Sequence, residues 1–209
     1  MRILLAVFAA AAVWTARGQG TFEAIEDYDN ATLTFWDGTA GETFTVTNPV
    51  TVTSLGCFNY LFGLNPGTIQ VGLWDSSGAL LASDIIAANS PLLNQSRYLG
   101  ITPVFLAPNQ TYLMGAYSTN GTIYMDATYP ALGGSVATAP EIVLGEPAQL
   151  EGFFGPPTPV SGAGGTLYLG PNFQFQDGVP EPSSGLLLGL AALLLLACWK
   201  WQARAPNAP

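Results

Sequence analysis

No stretch before position 184 sustains the 3.6-residue apolar period of a helix, and this constrains the chain more than any other feature. Apolar residues between Thr21 and Gly178 instead recur at every second position, in short runs rich in Thr, Val, Ile, Phe and Tyr. In Glu42–Thr47 the alternation puts Phe44 and Val46 on one face. Asn48-Pro49 ends it, because proline removes a backbone donor and restricts the residue before it. Val50–Leu55 alternates again, and Thr68–Trp74 puts Ile69, Val71 and Leu73 on one face. Asp75-Ser76-Ser77-Gly78 has turn chemistry: short side chains that hold local amides, then a glycine free to take positive φ. The chain returns as Ala79–Ile86, which predicts a hairpin with Thr68–Trp74.

Asn89–Ser96 reads as a polar connection. Tyr98–Leu106 and Thr111–Tyr117 are expected to pair through Ala107-Pro108-Asn109-Gln110, and Asn120-Gly121 to form a turn before Thr122–Asp126. Residues 127–165 are dense in Pro, Gly and Ala and predict an irregular excursion over the sandwich. Thr166–Leu169 and Asn172–Phe175, separated by Gly170-Pro171, complete the strand material. Strands this short with turns this frequent predict an all-β fold, a two-sheet antiparallel sandwich of jelly-roll type spanning residues 21–178. About 150 residues are enough for one continuous core.

The two ends are of a different kind. Met1-Arg2 precedes twelve unbroken apolar residues, Ile3–Trp14, and the small-residue exit Thr15–Gly20. Twelve residues are too few for a bilayer core of about 30 Å, so residues 1–20 are expected to be a signal helix read by the Sec translocon and removed. At the other end lies the apolar run Gly185–Trp199, apolar on all faces from Leu186 to Leu196, with Trp201 beyond Lys200. It predicts one transmembrane helix over 185–201, with Lys200 and Arg204 holding the tail 202–209 in the cytoplasm and the body outside.

Charge divides the same way. The fourteen carboxylates all lie between Glu23 and Glu181, where Arg97 is the one basic residue, a net charge of −13. Such a body repels phosphate backbones, which excludes nucleic acid as a partner. The two cysteines, Cys57 and Cys198, fall in different expected compartments, so no intrachain disulfide is expected, and Cys57 reads as a small core residue.

Two resemblances follow from particular residues. Phe44-x-Val46-x-x-Pro49-Val50-x-Val52, Val71-x-Leu73-Trp74-Asp75-x-x-Gly78-x-Leu80-Leu81-Ala82 and Leu106-x-Pro108-x-x-Thr111-Tyr112 resemble a β-sandwich family of unassigned function found in bacterial surface proteins, over Glu42–Asp126. That resemblance implies fold rather than chemistry. The linker 179–184 contains Pro180-Glu181-Pro182, and the apolar run and the basic Lys200 and Arg204 follow it. This order resembles the PEP-CTERM sorting signal, with a thinner basic cluster and a neutral tail. The resemblance implies an exosortase, a membrane transpeptidase, as partner, and delivery to the cell surface or into an exopolysaccharide-rich biofilm matrix.

The chain has no histidine, which removes His-based triads and His-ligated zinc. No spacing singles out two carboxylates as a glycosidase pair, so no enzyme activity is expected. Glu26, Asp27 and Asp29 gather hard oxygens that suit calcium, and a solvated acidic leader accounts for them equally. Trp36, Tyr60 and Trp74 are candidates for stacking on sugar rings, with core or rim packing as the plainer role. Asn30, Asn94, Asn109 and Asn120 each open an Asn-x-Ser/Thr glycosylation triplet; they read as turn residues at strand edges, with glycan carrier sites as the alternative. The expected function is therefore that of a non-catalytic exported surface or matrix protein, with a calcium-assisted carbohydrate-binding module as the alternative.

Overall fold

A computed structural model describes residues 20–29, 32–63, 67–128, 135–160 and 167–178, without the side chains of 28–29, 32–35, 63, 119–128 and 167. The chain divides after Gly178 into two units, Met1–Gly178 and Val179–Pro209. The expected signal helix and membrane helix fall outside the described residues, among which no helix is long and apolar enough to cross a membrane.

The strands are β1 (Thr21–Glu23), β2 (Ile25–Asp29), β3 (Thr32–Val46), β4 (Val50–Phe58), β5 (Thr68–Asp75), β6 (Leu80–Ala87), β7 (Leu92–Leu93), β8 (Ser96–Leu106), β9 (Thr111–Thr128), β10 (Ser135–Thr138), β11 (Ile142–Glu151), β12 (Thr158–Pro159), β13 (Leu167–Leu169) and β14 (Pro171–Asp177). A 3-10 turn, Asn59–Gly63, follows β4. All pairings are antiparallel. One sheet runs β1-β14-β4-β8-β7 and the other β12-β11-β3-β9-β5-β6, with β13 on the far end of β9. The fold is thus all-β and sandwich-like, with one addition to the expected two sheets: a separate β2–β10 ribbon.

The core lies between the sheets. Val50, Val52, Leu55, Phe173 and Phe175 from one sheet meet Phe44, Val46, Ile69, Val71, Leu73 and Met114 from the other, all buried. The Phe44 and Phe173 rings, 5.1 Å apart, join the two layers directly. Cys57 is buried in this core, and desolvation pushes its thiol far up, so it stays a neutral apolar filler. On the other face of the first sheet, buried Asn172 accepts from Ile25 N (3.0 Å) and donates to Tyr98 Oη (2.8 Å), which ties β2 and β8 to β14.

The β5–β6 hairpin forms as expected. Asp75 Oδ1 accepts from Ser77 N, Ser77 Oγ and Ala79 N, and Gly78 has φ +84°. Those bonds lower the Asp75 carboxyl below its usual range. Asn94 (φ 48°) and Asn109 (φ 58°) are left-handed turn residues on either side of β8, a conformation asparagine tolerates.

Four expectations are corrected. β8 and β9 do not pair: β8 adds to β4, and Ala107–Gln110 carries the chain across to the other sheet, where β9 lies between β3 and β5. A turn sequence fixes the reversal and leaves the choice of sheet to core packing. Asn120-Gly121 does not end a strand, because β9 continues through it. Thr39 faces Tyr117 and Asp37 faces Thr122, so the turn chemistry is absorbed as a bulge opposite Gly38. Residues 127–165 are not wholly irregular: β11 adds ten residues beside β3, with β10 and β12 around it. Pro147 fits in β11 because it follows a one-residue bulge between Leu144 and Pro147, where a missing donor is tolerated. The connection Asn89–Ser96 contains the short strand β7.

Candidate functional site

The outer face of the longer sheet has an unusual floor. Gly41, Gly115 and Gly72 lie side by side across β3, β9 and β5. A β-carbon at Gly41 would collide with the Met114 carbonyl oxygen, and one at Gly72 with the Trp74 indole. The glycines let the indole lie flat against the sheet. Trp74 is 2 % exposed and packs with Leu113, Ala148 and Phe154, its ring centroid 5.3 Å from that of Phe154.

The cover comes from the segment after β11, here called the strap, Gly152–Pro157. Gly152 turns it (φ +86°) and donates to Asp37 O (3.0 Å). The buried Thr39 hydroxyl fastens it twice, donating to Phe153 O (2.8 Å) and accepting from Gly155 N (3.2 Å). On β11 itself, Thr43 Oγ1 accepts from Glu146 N, the amide freed by the bulge, at 2.7 Å. Trp36 is half-buried and donates from Nε1 to Leu150 O (3.2 Å), so it too depends on β11.

The three stacking candidates are therefore not gathered into one platform. Trp36 packs against the main core, Trp74 lies beneath the strap, and Tyr60 in the 3-10 turn is 57 % exposed beside Phe58. The acidic leader lies on β2. Glu26 is exposed and is the extra residue where the β2–β10 register shifts, while exposed Asp27 accepts from Gln95 Nε2 (2.9 Å). The Asp29 side chain is not described, and no group of three metal-ligating residues occurs among the described residues. Pro180, Glu181, Pro182, Lys200 and Arg204 lie outside the described residues.

The most anomalous residue is one that sequence reasoning passed over. Glu42 lies on β3 between Ala40 and Phe44 and shares their inward face. It is fully buried, neither carboxyl oxygen has a hydrogen-bond partner, and desolvation holds the acid well above the usual carboxylate range. Its cross-strand neighbours are Met114 and Pro147. The signal was available: the alternation that turns Phe44 and Val46 inward also turns Glu42 inward.

A cleft of about 600 Å³ opens between β6 and β8. Leu81, Ala82, Ile101 and Val104 form its floor against the core, and Ser83, Asp84, Gly100, Thr102 and Pro103 its walls. It exists because β8 carries two extra residues between Gly100 and Val104, opposite Thr53, which bow it away from its partner.

These elements define an antiparallel β-sandwich-like domain with one strapped face. The chain belongs to the family described as Domain of unknown function (DUF4082), which matches residues 36–162. That span runs past Asp126 to take in β10, β11, the strap and β12. No curated protein matches the chain.

Proposed function

We propose that this chain is a non-catalytic exported protein of the bacterial cell surface or biofilm matrix, sorted by a PEP-CTERM signal and cleaved by an exosortase. The observation that carries this reading is the order of the last thirty residues: Pro180-Glu181-Pro182, the apolar run Gly185–Trp199, then Lys200 and Arg204. On this reading, prolines on both sides of Glu181 disfavour a helix within the box, which suits the transpeptidase, and the apolar run that follows serves as its membrane-held segment. The body suits an extracellular scaffold: it is acidic, and its strand orders β1-β14-β4-β8 and β3-β9-β5-β6 support a jelly-roll reading of the sandwich. The apolar N-terminal run supports entry through the Sec translocon.

Intact mass of the surface or secreted protein tests the reading. The expected product ends near Pro182, without the apolar run. A mass that retains the residues after Pro182 on all surface material replaces the sorting signal with a permanent single-pass anchor.

The competing reading, a calcium-assisted carbohydrate-binding module that touches exopolysaccharide, has the exposed Tyr60 ring in its favour. Glycan binding lost both with chelator and in Tyr60→Ala would support it, and binding unaffected by either would remove it.

A further inference from the structure

Glu42 and the strap occupy opposite faces of the same stretch of β3. Thr39, Gly41 and Thr43 face the strap side, and Ala40, Glu42 and Phe44 face the core. Whatever displaces β11 from β3 therefore opens both faces together. We propose that Glu42 is a protonation-dependent latch: while its carboxyl is neutral, β11 and the strap stay closed over Trp74, and loss of the proton to water releases them.

The physical argument is one of routes. An ionised carboxylate without a partner costs several kcal/mol in an apolar interior. The charge must reach water or regain its proton. On one side of Glu42 stands β9, itself held by β5. On the other stands β11, whose residue opposite Glu42 is Pro147, which has no N–H to give to β3. The adjoining bulge interrupts the ladder at Thr43, and among the described residues only the two-residue β12 lies outside β11. β11 is thus the least held neighbour. Its departure removes the Leu150 carbonyl from Trp36, Ala148 and Phe154 from Trp74, and both bonds of the Thr39 hydroxyl.

No neighbouring charge substitutes for this role. Titratable groups with described side chains on the packed elements are Tyr112 and Tyr117 on β9, Glu146 and Glu151 on β11, Tyr168 on β13, Cys57 on β4, Asp75 on β5 and Asp177 on β14, and Tyr117 lies on the strap side against Phe154. Glu146 and Glu151 are exposed, and the Tyr112 hydroxyl is engaged by Ala107 N at 2.8 Å. Burial alone acts on Glu42.

The test is segment-resolved hydrogen exchange on the full chain across a pH series, corrected for intrinsic exchange. In the wild type, the opening constant of residues 147–157 is expected to rise by about tenfold per pH unit above the ordinary carboxyl range, while 171–177 on β14 stays flat. Glu42→Gln is expected to make 147–157 flat as well, and Glu42→Met serves the same purpose should the amide fail to fold. An unchanged slope in either folded variant overturns the latch. So does parallel opening of 147–157 and 171–177, which would make the event global unfolding.

Discussion

The two faces of the seven-stranded sheet are held by different means. The inner face relies on large apolar side chains meeting a second sheet: Phe44, Val71, Leu73 and Met114 against Phe173 and Phe175. The outer face has a glycine row at its centre with the Trp74 indole laid on it, and is covered by a chain segment fixed through the Thr39 hydroxyl, the Gly152 amide and the contacts of the Phe154 ring with Trp74 and Tyr117. An apolar layer tolerates exchange of one side chain for another of similar volume. A strap fastened through Thr39 depends on particular atoms. The contrast is sharpened by Glu42, a polar group without partners on the apolar face, while the polar groups of the strap face are paired.

The largest expected effect is on the inner face. Phe44→Ala should lower the free energy of unfolding by about 3–5 kcal/mol, read from urea titration, because its void adjoins both sheets. A loss below 1 kcal/mol would mean the layers do not meet there. Gly41→Ala should cost about 1–3 kcal/mol, since the new methyl meets the Met114 carbonyl and β3 must shift. Glu42→Met should raise stability at neutral pH by a similar amount, about 1–3 kcal/mol, by removing an unpaired buried acid.

The pH dependence has a definite sign. The Glu42 carboxyl is raised in the folded state above its ordinary value of 4.5. Its contribution is complete below that value and is lost as the pH rises toward the folded value, by about 1.4 kcal/mol per unit. Glu23, raised by desolvation against the bond from Asn94, acts in the same direction and remains in both proteins, so the difference between wild type and Glu42→Met isolates Glu42. The smallest effect belongs to the strap: Thr39→Val leaves Phe153 O and Gly155 N unpaired and should cost about 1–2 kcal/mol. It should raise amide exchange in 152–157 more than in β14. Equal changes in both segments would show that the strap is part of one cooperative unit.

Strands whose alternation and turn chemistry agree were legible in the sequence, and the β5–β6 hairpin is the plainest case, from Ile69, Val71 and Leu73 to Asp75 and Gly78. What stayed hidden was long-range. Nothing local tells Thr111–Tyr117 to leave β8 for the opposite sheet, because either pairing buries the same side chains. β11 was hidden by Gly145 and Pro147, whose breaker chemistry is spent on a bulge within a ladder. Trp74 could be placed on a strand but not beneath a cover, since Phe154 is eighty residues away in sequence. Glu42 was within reach of the period-two rule that placed Phe44.

The bowed strand at the β6–β8 cleft has a consequence for crowded surroundings. Both sheets end on that side in strands whose backbones face outward, β6 along its length and β8 beyond Arg97. Leu80, Ile85 and Phe105 are exposed there. Regular edges of this kind would template fibre growth between molecules. The extra residues in β8 break its straightness, Pro103 removes a donor, and Asp84 sets a charge within the apolar run of β6. Straightening β8 by deleting two residues of the bow would turn this rim of the domain into a seed for ordered aggregates.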